Sequence, residues 1–247
     1  MKKNSRIWIK SLLVIGVFLM LTSSCKLDGN NDSYPSQSGP VKDIDGNVYH
    51  TVTIGSQVWM VENLKTTKYR NGDGIPNVTD NTQWGNLTTW AYCNYNNDAA
   101  NGTKYGKLYN WYAVNDSRNI APTGWHVPTD AEWTTLENYV SANPGTSGSG
   151  AKALASKTDW ASSTNAGAVG NDLTKNNTTG FTALPGGSRY DYGPYVGIGD
   201  EGGWWVLTEG TTLGAWLWGL SYDGSSVGRF IGDIKSCGFS VRCVRDL

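Results

Sequence analysis

The sequence predicts an α+β fold: a small, twisted, mainly antiparallel sheet with one or two helices beside it and long ordered loops. Three observations carry that expectation. Runs of alternating polarity occur at 48–54 and again at 216–222, and a period of two is what a strand needs to send side chains to opposite faces. Between them lies one well-punctuated helical segment that begins at Thr129. The chain also sets 12 Trp and 13 Tyr beside 31 Gly, a mixture suited to loops pinned by large aromatics.

The first residues bear on location rather than fold. Lys2, Lys3, Arg6 and Lys10 form a basic leader, and the mostly apolar run from Ile7 to Leu21 ends in Thr22-Ser23-Ser24-Cys25. The run is shorter than the ~20 apolar residues that cross a bilayer core. Residues 1–24 therefore read as a cleaved signal peptide. The small residues before Cys25 resemble a bacterial lipobox, with Thr22 where an aliphatic residue is usual, so Cys25 is expected to be the lipidated first residue of an exported protein anchored in the outer membrane and displayed at the surface. Residues 25–40, with Asp28, Gly29, Asn30, Pro35 and Pro40 and almost nothing apolar, read as a flexible tether. Residues 41–247 are enough for one domain with a real core.

Within that domain Asp45-Gly46 marks a turn. Val48, His50, Val52 and Ile54 alternate with Tyr49, Thr51 and Thr53, and Gly55-Ser56 turns the chain into Val58–Val61, so an opening hairpin is expected. Residues 65–106 read as long loops fastened by Trp84, Trp90 and Tyr92. The helix starts at a capping box, Thr129 and Glu132, with Trp133, Leu136 and Val140 on one face, and closes at Asn143-Pro144-Gly145. Ala151–Lys157 suggests a further helical turn, and 162–180 an exposed polar loop. Trp216, Trp218, Leu220 and Tyr222 share one parity and are expected to face the core. Leu217, Gly219, Ser221 and Asp223 are left facing outward. Gly228–Cys237 reads as a Gly-interrupted loop, and Phe239, Val241 and Cys243, alternating with Ser240 and Arg242, as a closing strand.

Composition excludes several function classes. A net charge of -1 with 17% charged residues argues against a nucleic-acid surface or a polybasic membrane patch. His50 and His126 are the only histidines, far apart, so neither a zinc site nor a Ser-His-Asp arrangement has local support, and no metal or cofactor is expected. Three cysteines besides Cys25 leave one over in any pairing.

The ordered strings GSQVWMVENLKT (55–66), YGKLYNWYAV (105–114), PTGWHVPTDAEWTTL (122–136), GFTALPGGSR (180–189) and CGFSVRCVRD (237–246) resemble the Fibrobacter succinogenes major paralogous domain, a family common in Bacteroidetes lipoproteins, from about residue 41 onward. The resemblance implies a fold related to C-type lectins and to the formylglycine-generating group. Ala121 stands where many relatives have a Cys. Cys237 stands where relatives often carry a polar or aromatic residue, so the resemblance makes Cys93–Cys243 the expected pair and Cys237 the one left over, while the spacing alone does not fix the connectivity.

Three function classes follow from the resemblance. Formylglycine chemistry needs cysteines in an active cleft, and the closely spaced Cys237 and Cys243 lie in a loop entering a strand; Asp130 and Glu132, the tempting carboxylate pair, have a sufficient role at a helix start. No enzymatic activity is expected. Calcium-dependent sugar binding lacks its Glu-Pro-Asn and Trp-Asn-Asp strings, which leaves metal-independent stacking of sugars on Tyr190, Tyr192, Tyr195, Trp204 or Trp205, the two tryptophans being better suited to a core. The preferred class is a ligand-binding or adhesion module whose partner is a protein or a glycan. The family's C-terminal segment resembles the variable region of retroelement-diversified proteins. That likeness makes Trp216, Leu220, Tyr222, Val227 and Arg229 framework. It makes Leu217, Gly219, Ser221, Asp223, Gly228, Phe230, Ile231, Gly232, Asp233, Ile234 and Cys237 the binding set, each encodable by an NNC codon.

Overall fold

The first elements form where a turn lets short runs pair. In the computed structural model, which describes residues 40–246, β1 (Val41–Lys42) pairs with β2 (Val48–Tyr49) around Asp45-Gly46, and β3 (Thr51–Ile54) with β4 (Gln57–Met60) around Gly55-Ser56. The leader, Cys25 and the tether before Pro40 lie outside the described residues. The alternating run 48–54 is thus shared between two ladders rather than forming one strand. His50 stands at the break, where Glu62 accepts its backbone N–H at 2.8 Å and meets its Nδ1 at 2.7 Å.

Residues 65–106 are more regular than expected. They hold α1 (Asn81–Gly85), β5 (Tyr92–Cys93) and α2 (Ala99–Tyr105), and β5 pairs with β6 (Leu108–Tyr109). Helices this short make no visible periodicity. Their signals are the caps: Asp80 accepts from Gln83 N–H, Asp98 from Ala100 N–H, and Asn110 from Ala113 N–H at the head of α3 (Trp111–Val114).

β7 (Trp125–His126) leads into α4 (Asp130–Ala142), which forms as the sequence predicts. Thr129 and Glu132 complete the reciprocal capping box, and Trp133, Leu136 and Val140 are its buried face. α5 (Gly150–Leu154) follows. The 162–180 segment is irregular but not simply exposed: Ala168, Val169 and Asn176 are buried. The reason is Lys152 of α5, itself buried, whose ammonium donates to the carbonyls of Ala168, Asn171 and Asp172. A buried ammonium needs such acceptors.

The remaining strands are β8 (Gly186–Arg189), β9 (Tyr195–Ile198), β10 (Glu201–Glu209), β11 (Gly214–Ser221), β12 (Gly228–Ile234) and β13 (Val244–Arg245). One five-stranded sheet runs β12-β11-β10-β8-β9, antiparallel except where β10 meets β8. A four-stranded sheet runs β3-β4-β13-β7, antiparallel throughout. The architecture is therefore mixed α and β, mostly antiparallel, with few helices.

The five-stranded sheet is buried on both faces along β10 and β11. Trp204 and Trp218, directly paired, lie under α4, where Trp133 stacks on Trp218 at 5.9 Å and 11° and meets Trp59 edge-on at 5.2 Å. Trp205 and Leu217, the neighbouring pair, face the opposite cluster with Tyr109, Trp111 and Val241. Offset and edge-to-face aromatic contacts of this kind add to what area burial supplies.

Two expectations for the C-terminal third need correction. Gly228–Ile234 is a strand, not a loop. Its alternation is hidden because the register slips between Ala215, opposite Asp233, and Trp216, opposite Ile231, which inserts an extra residue and resets the parity. The closing strand is Val244–Arg245; residues 238–240 make only single bridges, and 241–243 thread through the interior. Arg242 is fully buried there and forms no ion pair with a carboxylate among the described residues. Its guanidinium donates to Asn63 Oδ1 at 3.1 and 2.8 Å and to the Phe181 carbonyl, and Trp204 Nε1 donates to the same Asn63 oxygen at 2.8 Å.

Candidate ligand-binding site

On the face of β10–β12 opposite α4, strand pairing lines up three glycines: Gly203 opposite Gly219, and Gly219 opposite Gly228. Glycine in a strand interior has no side chain to pack and marks a place that something approaches closely. Here aromatic rings do so from the sides. A Cβ on Gly203 would stand 2.8 Å from the Phe239 ring and one on Gly228 2.6 Å from the Phe230 ring, whereas one on Gly219 would meet Phe230 only at 3.6 Å, with the Gly202 carbonyl at 3.2 Å.

The result is a cavity of about 380 Å³, within the size range of small-ligand pockets. Leu217, Gly219, Ser221, Gly228 and Phe230 of the predicted binding set all line it. Leu217 does so as a buried base, 6% exposed, rather than as an outward side chain, and Gly219 is buried too. Asp223 stays at the surface and takes the Ser221 hydroxyl at 2.6 Å. Phe230 stands 53% exposed at the rim.

The rest of the predicted set is not gathered here. Ile231 and Ile234 are exposed, but Ile231 is paired with Trp216, on the α4 side. Gly232 and Asp233 fall in the irregular stretch of β12. Cys237 is buried in the cluster beneath Trp205 and is no surface residue. The expected Cys93–Cys243 pair is not formed: both are buried thiols, in different clusters, and burial pushes both thiol pKa values up. Among the aromatic candidates, Trp204 and Trp205 are wholly core, and Tyr195 is half-buried with its hydroxyl donating to Asn97 Oδ1 at 2.7 Å. Tyr190 and Tyr192 are exposed and stacked at 5.4 Å, and Tyr190 lines the cavity.

Strand parity could not reveal the far wall, which comes from Tyr190, Glu201, Gly203 and Phe239. The Gly202-Gly203 pair directly before Trp204-Trp205 was the available hint, since two bare positions beside two large ones build a step into a sheet surface.

The framework residues are held by charge. Arg229 forms a two-point contact with the Asp130 carboxylate at 2.8 and 2.6 Å and lies 3.8 Å over the Trp216 ring, while Trp218 Nε1 donates to Asp130 at 3.0 Å. The Arg229 guanidinium holds the Asp130 carboxyl below its usual range. Trp216 is half-buried under Arg229, not a core residue as the parity rule predicts. Glu132 is equally occupied, by Thr129 and by His126 Nε2 at 2.7 Å. Among the described residues no group of three or more His, Cys, Asp or Glu side chains is placed to hold a metal ion, and no helix is long and apolar enough to cross a membrane.

The model of one protein family, the Fibrobacter succinogenes major domain, matches residues 52–245. No curated protein and no solved structure matches the chain.

Proposed function

This chain belongs to the Fibrobacter succinogenes major domain family, and from that premise we propose that it is a surface lipoprotein, lipidated at Cys25, whose C-type-lectin-like domain binds a ligand on the glycine-floored face of β10–β12 and carries out no chemistry. One observation carries the binding site: Leu217, Gly219, Ser221, Gly228 and Phe230, five of the eleven residues named from the sequence as a binding set, line a cavity of about 380 Å³. The reading without catalysis is supported by the commitment of Asp130 and Glu132 to structural partners. Diversification of this surface by a retroelement belongs to the same proposal, and a near-copy of the coding segment beside a reverse transcriptase gene is the observation that tests it.

The binding reading is tested by filling the cavity. Gly219→Leu projects a side chain over the open floor, and Phe230→Ser removes a wall. Arrays of glycans and of extracellular-matrix and bacterial surface proteins are probed with wild type and both variants, with melting temperatures measured alongside. Wild type is expected to retain a ligand that both variants lose, with Phe230→Ser melting near wild type so that its loss is not one of folding. Variants that keep every interaction would put the site elsewhere.

A second reading, metal-independent carbohydrate binding, is favoured by one feature, the exposed Tyr190 at the cavity and its stacked neighbour Tyr192. Ligands confined to the glycan array, and lost with Tyr190→Ala, would select it.

A further inference from the structure

The cavity offers a ligand rings and little that is polar. Tyr190, Phe230 and Phe239 line it together with Val196 and Leu217. Among the described residues Glu201 is the one charged member of the lining, and its carboxylate is turned toward β9, where a Cβ on Gly197 would stand 3.2 Å from Glu201 Oε2. The other polar side chains there carry only hydroxyls, on Ser188, Tyr190, Ser221 and Ser226, and Ser221 already donates its own to Asp223. Among the described residues no Asn, Gln, Lys, Arg, His or Trp side chain lines the cavity. A group that is charged or rich in hydroxyls needs its bonds to water replaced on entry. This lining does not replace them. An uncharged aromatic ring has little to replace and gains edge and face contacts with the rings already present.

The floor favours the same shape. Phe239 lies against Gly203 and Phe230 against Gly228, so this bared backbone already receives rings at close range. Leu217, 6% exposed, gives the cavity an apolar base.

A second observation bears on what carries the ring. Tyr192 lies outside the lining, stacks on Tyr190 at 5.4 Å and is 63% exposed. With Tyr190 and Phe230 it sets three exposed aromatic side chains at the mouth and beside it. A free small molecule that filled the cavity would leave Tyr192 in water. A polypeptide that inserts one side chain also covers what surrounds it, and an aromatic anchor in a central pocket is where protein interfaces concentrate their affinity.

We propose that the cavity takes an aromatic side chain, tryptophan or tyrosine, of a partner protein, laid on the glycine floor beside Phe230 and Phe239, while Tyr192 meets residues that flank it. The proposal rests on the ligand-binding reading above and selects a protein ligand over a glycan. The Ser188 and Ser226 hydroxyls are enough for the one polar atom of such a ring.

The test is calorimetric titration of the full chain with acetyl-Leu-Ser-Trp-Ser-Leu-amide, with the same peptide carrying Tyr, Leu, Lys or Asp at its centre, with 3-methylindole and with cellotetraose. The Trp and Tyr peptides should bind about three- to tenfold more tightly than the Leu peptide, the margin that aromatic contacts add beyond area burial. The Lys and Asp peptides should bind more weakly than the Leu peptide. Phe230→Ser should remove the preference for Trp over Leu with a melting temperature near wild type. Tyr192→Ser, at an exposed position, should weaken the Trp peptide at least about twofold and leave 3-methylindole unchanged. A Leu, Lys or Asp peptide that equals the Trp peptide, or a preference for Trp that survives Phe230→Ser, overturns the aromatic assignment and leaves a ligand-binding cavity standing. An affinity for 3-methylindole equal to that for the Trp peptide, with neither changed by Tyr192→Ser, overturns the protein partner. Cellotetraose binding where no peptide binds overturns the proposal in favour of the carbohydrate reading. Should nothing bind, the proposal falls, and the arrays with Phe230→Ser decide separately whether the binding site falls with it.

Discussion

On one face of β10 and β11, Trp204 and Trp218 pack beneath Trp133 of α4; on the other, a residue away along the same strands, Gly203 and Gly219 leave bare backbone below Phe230 and Phe239. Strand alternation makes both possible at once, because adjacent residues serve opposite faces. Removing side chains from a strand interior weakens it. The loss on the cavity side is offset by an unusually dense aromatic stack on the other, and Arg229 clamps β12 to α4 through Asp130. Exposed side chains on the cavity face can therefore change while the face behind it keeps the sheet in place.

The sharpest way to break this contrast is to truncate the stack. Trp218 is 3% exposed between Trp133 and Asp130, so Trp218→Ala should cost about 3–5 kcal/mol. Chemical denaturation measures it. A loss below 1 kcal/mol would mean that the α4 face is not what supports the sheet.

Next comes the helix that covers the stack. Thr129→Ala removes the hydroxyl that accepts from Glu132 N–H and donates to the Glu132 carboxylate, and should cost about 0.5–2 kcal/mol. Ligand affinity, read on the same preparation, should be unchanged, since Thr129 serves only the α4 face. A drop in affinity at unchanged stability would move this helix into the site.

A pH dependence refines the same side. His126 lies between Glu132 and Asp246, at 2.7 and 2.6 Å. Hydrogen bonding to Glu132, then to Asp246, raises its pKa against the effect of burial. A pKa raised by folding means that the protonated form stabilises the native state. The contribution is full below the unfolded value of about 6.5 and is lost as pH climbs through the raised folded value. Melting temperature should decline across that window in wild type and lose this component in His126→Gln. Identical profiles would show that the clamp carries no protonation linkage.

The smallest effect belongs to the open side. Phe230 and Ile231 are 53% and 55% exposed, so serine at both should change stability by no more than about 0.5 kcal/mol at each position. A loss comparable to Trp218→Ala would make them core residues and dissolve the contrast.

How much of this was legible beforehand depended on whether a signal was local. The α4 helix could be read to its caps, because Thr129, Glu132 and the apolar face are local statements. The parity of 216–222 gave the correct two faces but misjudged what lies against them: Leu217 is covered by a second cluster and Trp216 is only half-covered by an arginine. β12 escaped because a register slip destroys period two, and Cys237 because it enters the core without regular structure. The cavity's far wall joins Tyr190, Glu201 and Phe239, which only the tertiary fold brings near Phe230.

The threading of residues 241–245 has a consequence in time rather than space. Cys243 O accepts from Met60 N–H at 3.0 Å, Val241 O from Leu64 N–H at 2.8 Å, and Val244 pairs with both Trp59 and His126. Arg242 completes the node shared by Asn63 and Trp204. These residues follow in the chain the segments they pack against, so the four-stranded sheet cannot close until they are in place. Contacts so distant along the chain make folding slow. The domain should remain open and protease-sensitive until Val244–Arg245 takes its place between β4 and β7.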